Sequence, residues 1–211
     1  MTSPGVAGPL ACADVRFPSF VDDLPITRSA LEFAAARHTG QHRIADHAPF
    51  ILHPLEVAHL LRGRGYPDEV VAAGVLHDVI EDTGVTRDDL VERFGARVAD
   101  LVTAVTEPCA DGSYAERKAL LRDAVAHADR EALAIYAADK VGKLRELRMA
   151  IATGRDYVPD PAQLDHYWAS LGLLEDHLPD EPLVRQLRFE LEALAMLPPE
   201  PSRESLLHGT E

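Results

Sequence analysis

The stretch AAGVLHDVIEDTG, residues 72–84, ends an apolar segment with a cluster of ionisable side chains. They are His77, Asp78, Glu81 and Asp82. On a helix that turns about 100° per residue, all four share an arc of about 140°, and the apolar residues between them face elsewhere. Carboxylates this close repel one another unless a proton, a basic side chain or a cation offsets their charge. The stretch therefore predicts a metal or acid–base site, with a solvated acidic helix end before Gly84 as the alternative.

Two other positions favour the metal interpretation. His53 lies in FILHPLEV, between apolar residues, and Asp139 lies in the Ala-rich segment LAIYAADKVGKL. Taken alone, His53 would be a structural histidine, and Asp139 would pair with Lys143 four residues later on a helix. Together with His77 and Asp78 they would form a site of two histidines and two carboxylates. Such a donor set suits manganese, iron or zinc and leaves coordination positions open for water and substrate.

The elements that must position these residues are predicted to be helices. The chain has 211 residues, of which 46% are hydrophobic and 27% charged, as is usual for a globular protein. Helical periodicity runs almost throughout, and no strand-like alternation, internal repeat or linker stands out. We therefore expect one all-α domain over residues 25–197. The segments 1–24 and 198–211 are expected to be flexible, because Pro, Gly and Ser are frequent in the first and the second is a polar tail.

Capping signals divide the helical region. Gly40 follows the first helix, and Pro54 lies in the first turn of the second. One continuous helix is expected from Pro67 to Thr83, with Gly84 as its C-cap. Thr86 and Asp89 have the spacing of a capping box at the start of the next helix. Further helices are expected within residues 86–95, 96–107, 111–128, 130–154, 160–177 and 181–197.

The formal net charge is −14, from 21 basic and 35 acidic residues. This charge disfavours nucleic acid as a partner, but a metal ion and a few basic side chains could still attract a small anionic nucleotide into one pocket. No window approaches the roughly 20 apolar residues of a membrane span, so no membrane partner is expected. The two cysteines, Cys12 and Cys109, form no disulfide framework, which favours a cytoplasmic location. Oligomeric state is left open.

The order His53, His77–Asp78, Asp139 resembles the H…HD…D signature of the HD-domain metal-dependent phosphohydrolases. Longer sequence motifs resemble those of the hydrolase domain of the RelA/SpoT alarmone enzymes, in the same order and with similar spacing. They are HTGQHR, PFILHPLEVAHLL, AAGVLHDVIEDTGVTRDDLVERFGARVADLVTAVTE, YAERK and ADKVGKLREL. This resemblance covers about half of the chain, residues 38–147. No segment resembles the nucleotide-synthetase domain, so the small stand-alone alarmone hydrolases are the closest match.

The resemblance implies an HD-type fold of roughly ten helices. It also implies removal of the 3′-pyrophosphate from guanosine 3′,5′-bis(diphosphate), or its pentaphosphate relative, by a metal-activated water, giving GDP or GTP and pyrophosphate. Glu81 and Asp82 match the family's catalytic acidic pair, and Arg43 matches a basic residue near the nucleotide. The implied Mn²⁺ ligands are His53, His77, Asp78 and Asp139. Three further cations could bind the diphosphates or be solvated helix residues: Lys140, Lys143 and Arg117.

Two departures from the family pattern concern the substrate. In DKVGKL, Lys143 stands where the family has an asparagine, so a group that donates and accepts hydrogen bonds is replaced by a charged donor. The loop from Arg43 to His53 is one residue longer than usual and lacks the family's Ser-Gly turn. Two alternatives therefore stay open. One is a phosphohydrolase for another nucleotide, such as an adenine alarmone or the 2′-phosphate of NADPH, and the other is a nucleotide-binding regulator with little turnover.

Overall fold

The computed structural model describes residues 17–108, 111–153 and 159–196. Within them the chain is all-helical, with a short 3-10 helix, Ser19–Val21, before ten α-helices. These are α1 Pro25–Arg37, α2 Leu52–Arg62, α3 Asp68–Leu76, α4 Val79–Thr83, α5 Arg87–Phe94, α6 Ala96–Val105, α7 Tyr114–Ala126, α8 Arg130–Ala152, α9 Pro161–His177 and α10 Pro182–Ala195. The predicted all-α fold of roughly ten helices is confirmed.

Helices α3 and α8 form the centre of the core. Every residue of α3 from Val70 to Leu76 is buried, and so is every residue of α8 from Ala132 to Gly142. Helix α3 packs against α1, α2, α6 and α8, while α8 also contacts α2, α6 and α10. Helix α8 carries the predicted ligand Asp139, and His77 directly follows α3, so both residues are held by the buried centre of the fold.

Helix α2 approaches α3 closely at Gly74. A Cβ atom added at this glycine would lie 2.4 Å from Leu61 Cδ1 and 3.2 Å from Val57 Cγ1. Since real Cβ contacts are almost never that short, a larger residue would force the buried Leu61 side chain to move or the two helices to separate. The approach brings the start of α2, with His53, to the end of α3, with His77.

The prediction of one continuous helix from Pro67 to Thr83 is wrong. The structure ends α3 at Leu76 and begins α4 at Val79, with His77 and Asp78 in the turn between them. The His77 ring bonds the carbonyl of Gly74 through Nδ1 at 2.8 Å. In a continuous helix the backbone N–H of Asp78 would use that carbonyl, so the side chain competes with the helical ladder. Because His77 and Asp78 lie in the turn between the two helices, their side chains point in directions that a helical wheel drawn for one continuous helix does not predict.

The local signals around this break are confirmed. Gly84 adopts the left-handed conformation at the C-cap of α4, with φ 72°. Thr86 and Asp89 form the predicted capping box at the start of α5. Of the segment expected to be flexible, residues 17–24 are described, and Val21 and Leu24 are buried in the core. Residues 1–16, the tail from 197 onward and both cysteines lie outside the described residues. No described helix is long and apolar enough to cross a bilayer.

A side chain from α3 caps the start of α1. The N-cap residue of α1, Leu24, has no side-chain oxygen to offer. Instead, the Asp68 carboxylate accepts from the backbone N–H groups of Ile26 and Thr27, each at 2.9 Å, and from the Thr27 hydroxyl at 2.6 Å. A carboxylate at this position satisfies amides that the helix leaves unpaired and complements the helix dipole.

We expect Asp68→Ala to lower the free energy of unfolding by about 1–3 kcal/mol, because it removes a charged cap and leaves the buried Thr27 hydroxyl only its longer contact with the Asp68 backbone carbonyl, at 3.3 Å. Urea unfolding followed by circular dichroism measures the change. Asp88→Ala, at an exposed acid in the first turn of α5, is the matched control. Equal stability of the two variants would contradict the capping role.

Candidate metal centre and active site

Three helical segments bring buried metal-ligand side chains to one point. His53 lies in the first turn of α2, His77 follows α3, and Asp139 lies in the middle of α8. The Nε2 atom of His53 is 3.2 Å from His77 Nε2 and 3.1 Å from Asp139 Oδ1. One donor atom from each of the three residues lies within 4.8 Å of the others, and all three residues are buried.

The spacing of these donors fits a shared metal ion. With metal–nitrogen bonds of about 2.0–2.1 Å, two imidazoles at octahedral or tetrahedral angles have their nitrogens about 2.9–3.4 Å apart. The two Nε2 atoms lie within that range. A mixed set of imidazole and carboxylate donors with room for further ligands indicates a divalent metal.

The two histidines are oriented in different ways. His77 donates its Nδ1 proton to the Gly74 carbonyl, which leaves Nε2 as the metal-binding nitrogen when the ring is neutral. His53 Nδ1 is buried and has no hydrogen-bond partner among the described residues. The ring instead packs on Gly142, where a Cβ atom would lie 3.2 Å from Nδ1 and from Cε1. A hydrogen bond therefore orients His77, and packing orients His53.

Asp78 lies beside this trio but outside the closest group. Its Oδ2 atom is 3.2 Å from His77 Nε2 and 3.9 Å from His53 Nε2. The Lys143 ammonium lies 3.6 Å from the same oxygen. The structure thus brings together all four residues that the sequence resemblance nominates, with Asp78 further from the centre than the other three.

The protonation of the cluster reflects its two carboxylates. Burial lowers the pKa of His53 to about 4. Burial opposes the charge on His77 too, but the carboxylates of Asp78 and Asp139 outweigh it and raise its pKa to about 10. The pKa of each carboxyl lies below its usual value, since the neighbouring cations outweigh the cost of burial. Without metal, the cluster therefore holds a proton on His77 between two carboxylates, where a divalent cation would supply the same compensation.

Glu81 and Asp82 lie at the mouth of the same site. Loss of water around the carboxyls and the nearby Asp78 charge raise the pKa of both, although both residues remain exposed to the cavity. The backbone N–H of Glu107 donates to Glu81 Oε2 at 3.3 Å. The Gln41 side chain donates to the backbone carbonyl of Asp82 at 3.2 Å. These contacts fix the position of both residues and leave the Asp82 carboxylate facing the cavity.

A cavity of about 520 Å³ opens over the cluster. This volume is within the range of small-molecule sites. The predicted site residues that line it are Arg43, His77, Asp78, Glu81, Asp82, Asp139, Lys140 and Lys143. Arg117 is not among the lining residues; its guanidinium donates to Glu107 at 3.1 Å and to the Gly112 carbonyl at 3.1 Å. The next residue, Lys118, lines the cavity in its place.

The basic groups of the cavity differ in how far they are already paired. Arg43 forms a two-pronged contact with Asp46 and lies 3.5 Å from Glu146. Lys140 is buried and donates to Asp139 at 2.6 Å. Lys143 is the least enclosed of the three; its ammonium lies 5.0 Å from the centre of the Phe50 ring, a cation–π contact, besides its contact with Asp78.

The loop before His53 is closed on itself. Antiparallel bridging joins His42 to Pro49, with Arg43 N–H bonded to the Ala48 carbonyl and Phe50 N–H to the Gln41 carbonyl. His47 turns the chain at the tip of this loop with a φ of 57°. Glycine adopts this conformation at lower cost than a residue with a side chain.

Several cavity residues were missed by the sequence interpretation. They are Tyr114, Lys118, Leu121, Tyr136, Gln163, His166 and Tyr167. Tyr114, Lys118 and Leu121 follow one another at spacings of four and three residues, so the helical face of α7 could have been recognised. No comparable signal marks α9, because its place against α7 and α8 is set by tertiary packing.

Comparison with known proteins finds similar regions both in short proteins, most of whose length is matched, and in much longer ones. A guanosine-3′,5′-bis(diphosphate) 3′-pyrophosphohydrolase MESH1 from Danio rerio is 36% identical over 129 residues, which are 59% of this chain and 70% of that protein. A probable GTP pyrophosphokinase from Mycobacterium leprae (strain TN) is 38% identical over 129 residues, which are 60% of this chain but 16% of that protein. This chain therefore corresponds to a small part of the longer relative.

A solved structure gives the same fold. It is that of a metazoan ortholog of SpoT that hydrolyses ppGpp, with a TM-score of 0.65 and 26% identity over 85% of this chain and 96% of that one. The sequence pattern of the HD domain matches residues 30–158, more than half of the chain. The chain therefore belongs to the HD-domain family.

Proposed function

We propose that this protein is a metal-dependent pyrophosphohydrolase that removes the 3′-pyrophosphate of guanosine 3′,5′-bis(diphosphate) or its pentaphosphate relative. The products are GDP or GTP and pyrophosphate. The observation that carries this proposal is the convergence of His53, His77 and Asp139 under a cavity that also exposes Glu81 and Asp82. The activities for which the MESH1 relative and the metazoan SpoT ortholog are named support the choice of substrate.

We assign the metal to His53, His77, Asp78 and Asp139, and Mn²⁺ is our proposed ion. Two carboxylates favour manganese over the softer metals, while two imidazoles favour a transition metal over Mg²⁺. When bound, the ion supplies Lewis acidity that ionises water near neutral pH and neutralises charge on the phosphoryl group. Lys143 and Lys140 place positive charge next to Asp78 and Asp139, so the protein balances the carboxylates with permanent cations as well.

Glu81 and Asp82 are the proposed proton-transfer pair. Both have a pKa raised by burial and by the Asp78 charge, which makes each a stronger base than an ordinary carboxylate. One accepts the proton of the attacking water, and the pair returns a proton to the 3′ oxygen of the ribose as the P–O bond breaks. Two neighbouring carboxylates can share these roles, so the pair is assigned as a unit.

The proposed nucleotide contacts are Lys140, Lys143 and Arg43, which all line the cavity. Lys143 has the most exposed side chain of the three, and its nearest carboxylate oxygen, on Asp78, lies 3.6 Å away, so we assign it to a non-bridging phosphate oxygen. Arg43 lies in the bridged loop, held by Asp46, and helps to shape the wall that would face the base. Arg117 keeps Glu107 in place beside Glu81 and reaches the substrate only through that contact.

Replacing Lys143 tests its phosphate contact. We expect Lys143→Met to raise KM about tenfold, since a charge-assisted hydrogen bond is lost. The same change removes a cation 3.6 Å from Asp78, so Mn²⁺ should bind more tightly rather than less. Steady-state kinetics and metal titration give the two values. Lys143→Arg, which keeps the charge, should behave like the parent; an unchanged KM in Lys143→Met would remove Lys143 from the substrate contacts.

A substrate panel tests the proposed activity. Purified protein with Mn²⁺ is incubated separately with guanosine tetraphosphate, its adenine counterpart and NADPH, and the products are separated by ion-exchange chromatography. GDP and pyrophosphate from the guanine compound, at the highest kcat/KM of the three, support the proposal. Preference for another nucleotide, or release of orthophosphate, would keep the metal site and replace the substrate, an outcome for which Lys143 in place of the family's asparagine gives a structural reason.

We further propose that residues 25–197 act as one HD-type unit in the cytoplasm, flanked by residues 1–24 and 198–211, with Val21 and Leu24 of the first flank packed into the core. The core supports the first part, because buried residues from α1 to α10 form one continuous hydrophobic cluster. The net charge of −14 supports a small-molecule rather than a nucleic-acid partner.

A further inference from the structure

His166 is a buried histidine of the cavity wall that the proposed reaction does not use. It lies on α9, is 4% exposed, and lines the cavity above the metal cluster. The Arg122 guanidinium from α7 lies 2.7 Å from its Nδ1 atom. The rings of Tyr114 and Tyr167 pack on it at centre distances of 6.2 and 5.7 Å.

The contact with Arg122 determines the tautomer of this histidine. A guanidinium has only hydrogen-bond donors, so Nδ1 of His166 must be the acceptor and carries no proton. The single ring proton is therefore on Nε2. Burial and the charges of Lys140, Lys118 and Arg122 lower the pKa of His166 to about 2, which keeps the ring neutral. His166 is thus a fixed neutral donor surrounded by cations.

The Nε2–H group of His166 lacks an acceptor. Among the described residues no partner lies within hydrogen-bonding distance, and the atom is closed off from bulk water. A buried donor without an acceptor is costly and rare in folded proteins. The charges that act on this ring are mainly those of Lys140, Lys118 and Arg122, which makes an anionic oxygen the favoured partner. Within the described part of the chain, His166 borders the cavity of the metal site.

The proposed nucleotide carries two diphosphates, and only one of them can lie at the metal. The loop wall of the cavity offers Arg43, which Asp46 and Glu146 already neutralise. The opposite wall, formed by α7, α8 and α9, contributes His166 and two lysines that each face one carboxylate rather than two: Lys118 pairs with Glu107, and Lys140 pairs with the proposed metal ligand Asp139. The second diphosphate is therefore expected on the side of His166.

Building on the proposed function, we propose that the His166 Nε2–H group donates a hydrogen bond to the 5′-diphosphate of the bound nucleotide and so selects substrates that carry phosphates at both ends of the ribose. Arg122 is then a positioning residue, since it fixes the tautomer that makes this donor available. Neither residue takes part in bond cleavage.

Comparing two substrates isolates this contact. We expect His166→Phe to raise KM for guanosine tetraphosphate about 10- to 100-fold, since a hydrogen bond to a charged acceptor is lost. With guanosine 3′-diphosphate, which has no 5′-phosphates, the variant should match the parent. His177→Phe, an exposed histidine on the same helix, is the matched control. An equal rise in KM with both substrates would overturn the assignment to the 5′-diphosphate.

A binding experiment separates this inference from the proposed activity. The parent and His166→Phe are titrated with GDP and with guanosine by calorimetry. GDP should lose affinity in the variant and guanosine should not, whether or not the parent hydrolyses guanosine tetraphosphate. Equal losses for both ligands, or none, would overturn the inference even in an active enzyme.

Nuclear magnetic resonance tests the tautomer of His166 and its contact with GDP directly in the parent protein, without replacing the histidine. Ring ¹⁵N shifts should show His166 as the Nε2–H tautomer, and its ring resonances should move on addition of GDP but not of guanosine. Arg122→Leu should release the tautomer preference. The proposal would be contradicted if His166 of the parent were in the Nδ1–H form, or if its ring resonances did not move on addition of GDP.

Discussion

His77→Ala should lose the bound metal and lower kcat/KM by about 10³-fold or more, because Lewis acidity contributes several kcal/mol to such a reaction. His77 is the residue whose Nε2 lies within 3.4 Å of His53, Asp78 and Asp139. Its Nδ1 hydrogen bond to Gly74 also makes it the best-oriented donor of the cluster. Metal content by atomic emission and product formation by chromatography are measured on the same sample.

Two controls connect the loss to the metal. His127→Ala removes an exposed histidine whose ring, like that of His77, bonds a backbone carbonyl on the preceding turn, but which does not line the cavity. It should keep metal and activity. Added Mn²⁺ should raise the Tm of the parent and of His127→Ala but not of His77→Ala, since only a protein that binds the ion gains stability from it. A His77→Ala protein with full metal content would contradict the site.

Asp82→Asn and Glu81→Gln should each lower kcat by about 10²- to 10⁴-fold, the usual contribution of a general acid or base. Each change keeps the size of the side chain and removes its negative charge together with its ability to accept a proton. Metal content should not fall, and KM should change little, because neither residue is a proposed ligand or phosphate contact. Rapid-quench kinetics with saturating substrate and Mn²⁺ measure kcat directly.

The matched control for the acidic pair is Asp88→Asn on α5, an exposed acid outside the cavity lining. It should behave as the parent. If either Asp82→Asn or Glu81→Gln retained kcat within about threefold, proton transfer could not be assigned to that residue. If one of these variants lost its metal instead, that residue would be needed for metal binding. Its assignment to proton transfer alone would then be wrong.

The ends of the helices were predictable because they depend on neighbouring residues. Gly84 and Thr86 occupy the positions that their backbone and side-chain chemistry favour, and the structure has them there. The break after Leu76 was not predictable in the same way. It depends on the His77 ring bonding Gly74, and a periodic pattern of apolar residues cannot show whether a side chain or the backbone takes that carbonyl.

The candidate site was predictable to the extent that its residue types are unusual for their surroundings. His53 and Asp139 are polar residues in largely apolar segments, and a buried polar or charged group needs a partner to offset the cost of burial. In the structure His53 Nε2 lies 3.1 Å from Asp139 Oδ1. The positions of Arg117 and His166 could not be predicted from the sequence, because they depend on which helix faces pack together. The sequence indicated a cation on α7, which pairs with Glu107 instead of lining the cavity, and the Arg122–His166 contact between α7 and α9 was missed.

The most direct test of the central claim is metal-dependent product formation from guanosine tetraphosphate. Protein stripped with chelator is assayed alone and after stepwise addition of Mn²⁺, and GDP and pyrophosphate are quantified together. We predict no turnover without metal, then GDP and pyrophosphate in equal amounts, rising until about one ion is bound per chain, as expected for a single site. Turnover that is unaffected by chelation, or metal binding with no pyrophosphate released, would contradict the assignment of a metal-dependent 3′-pyrophosphohydrolase.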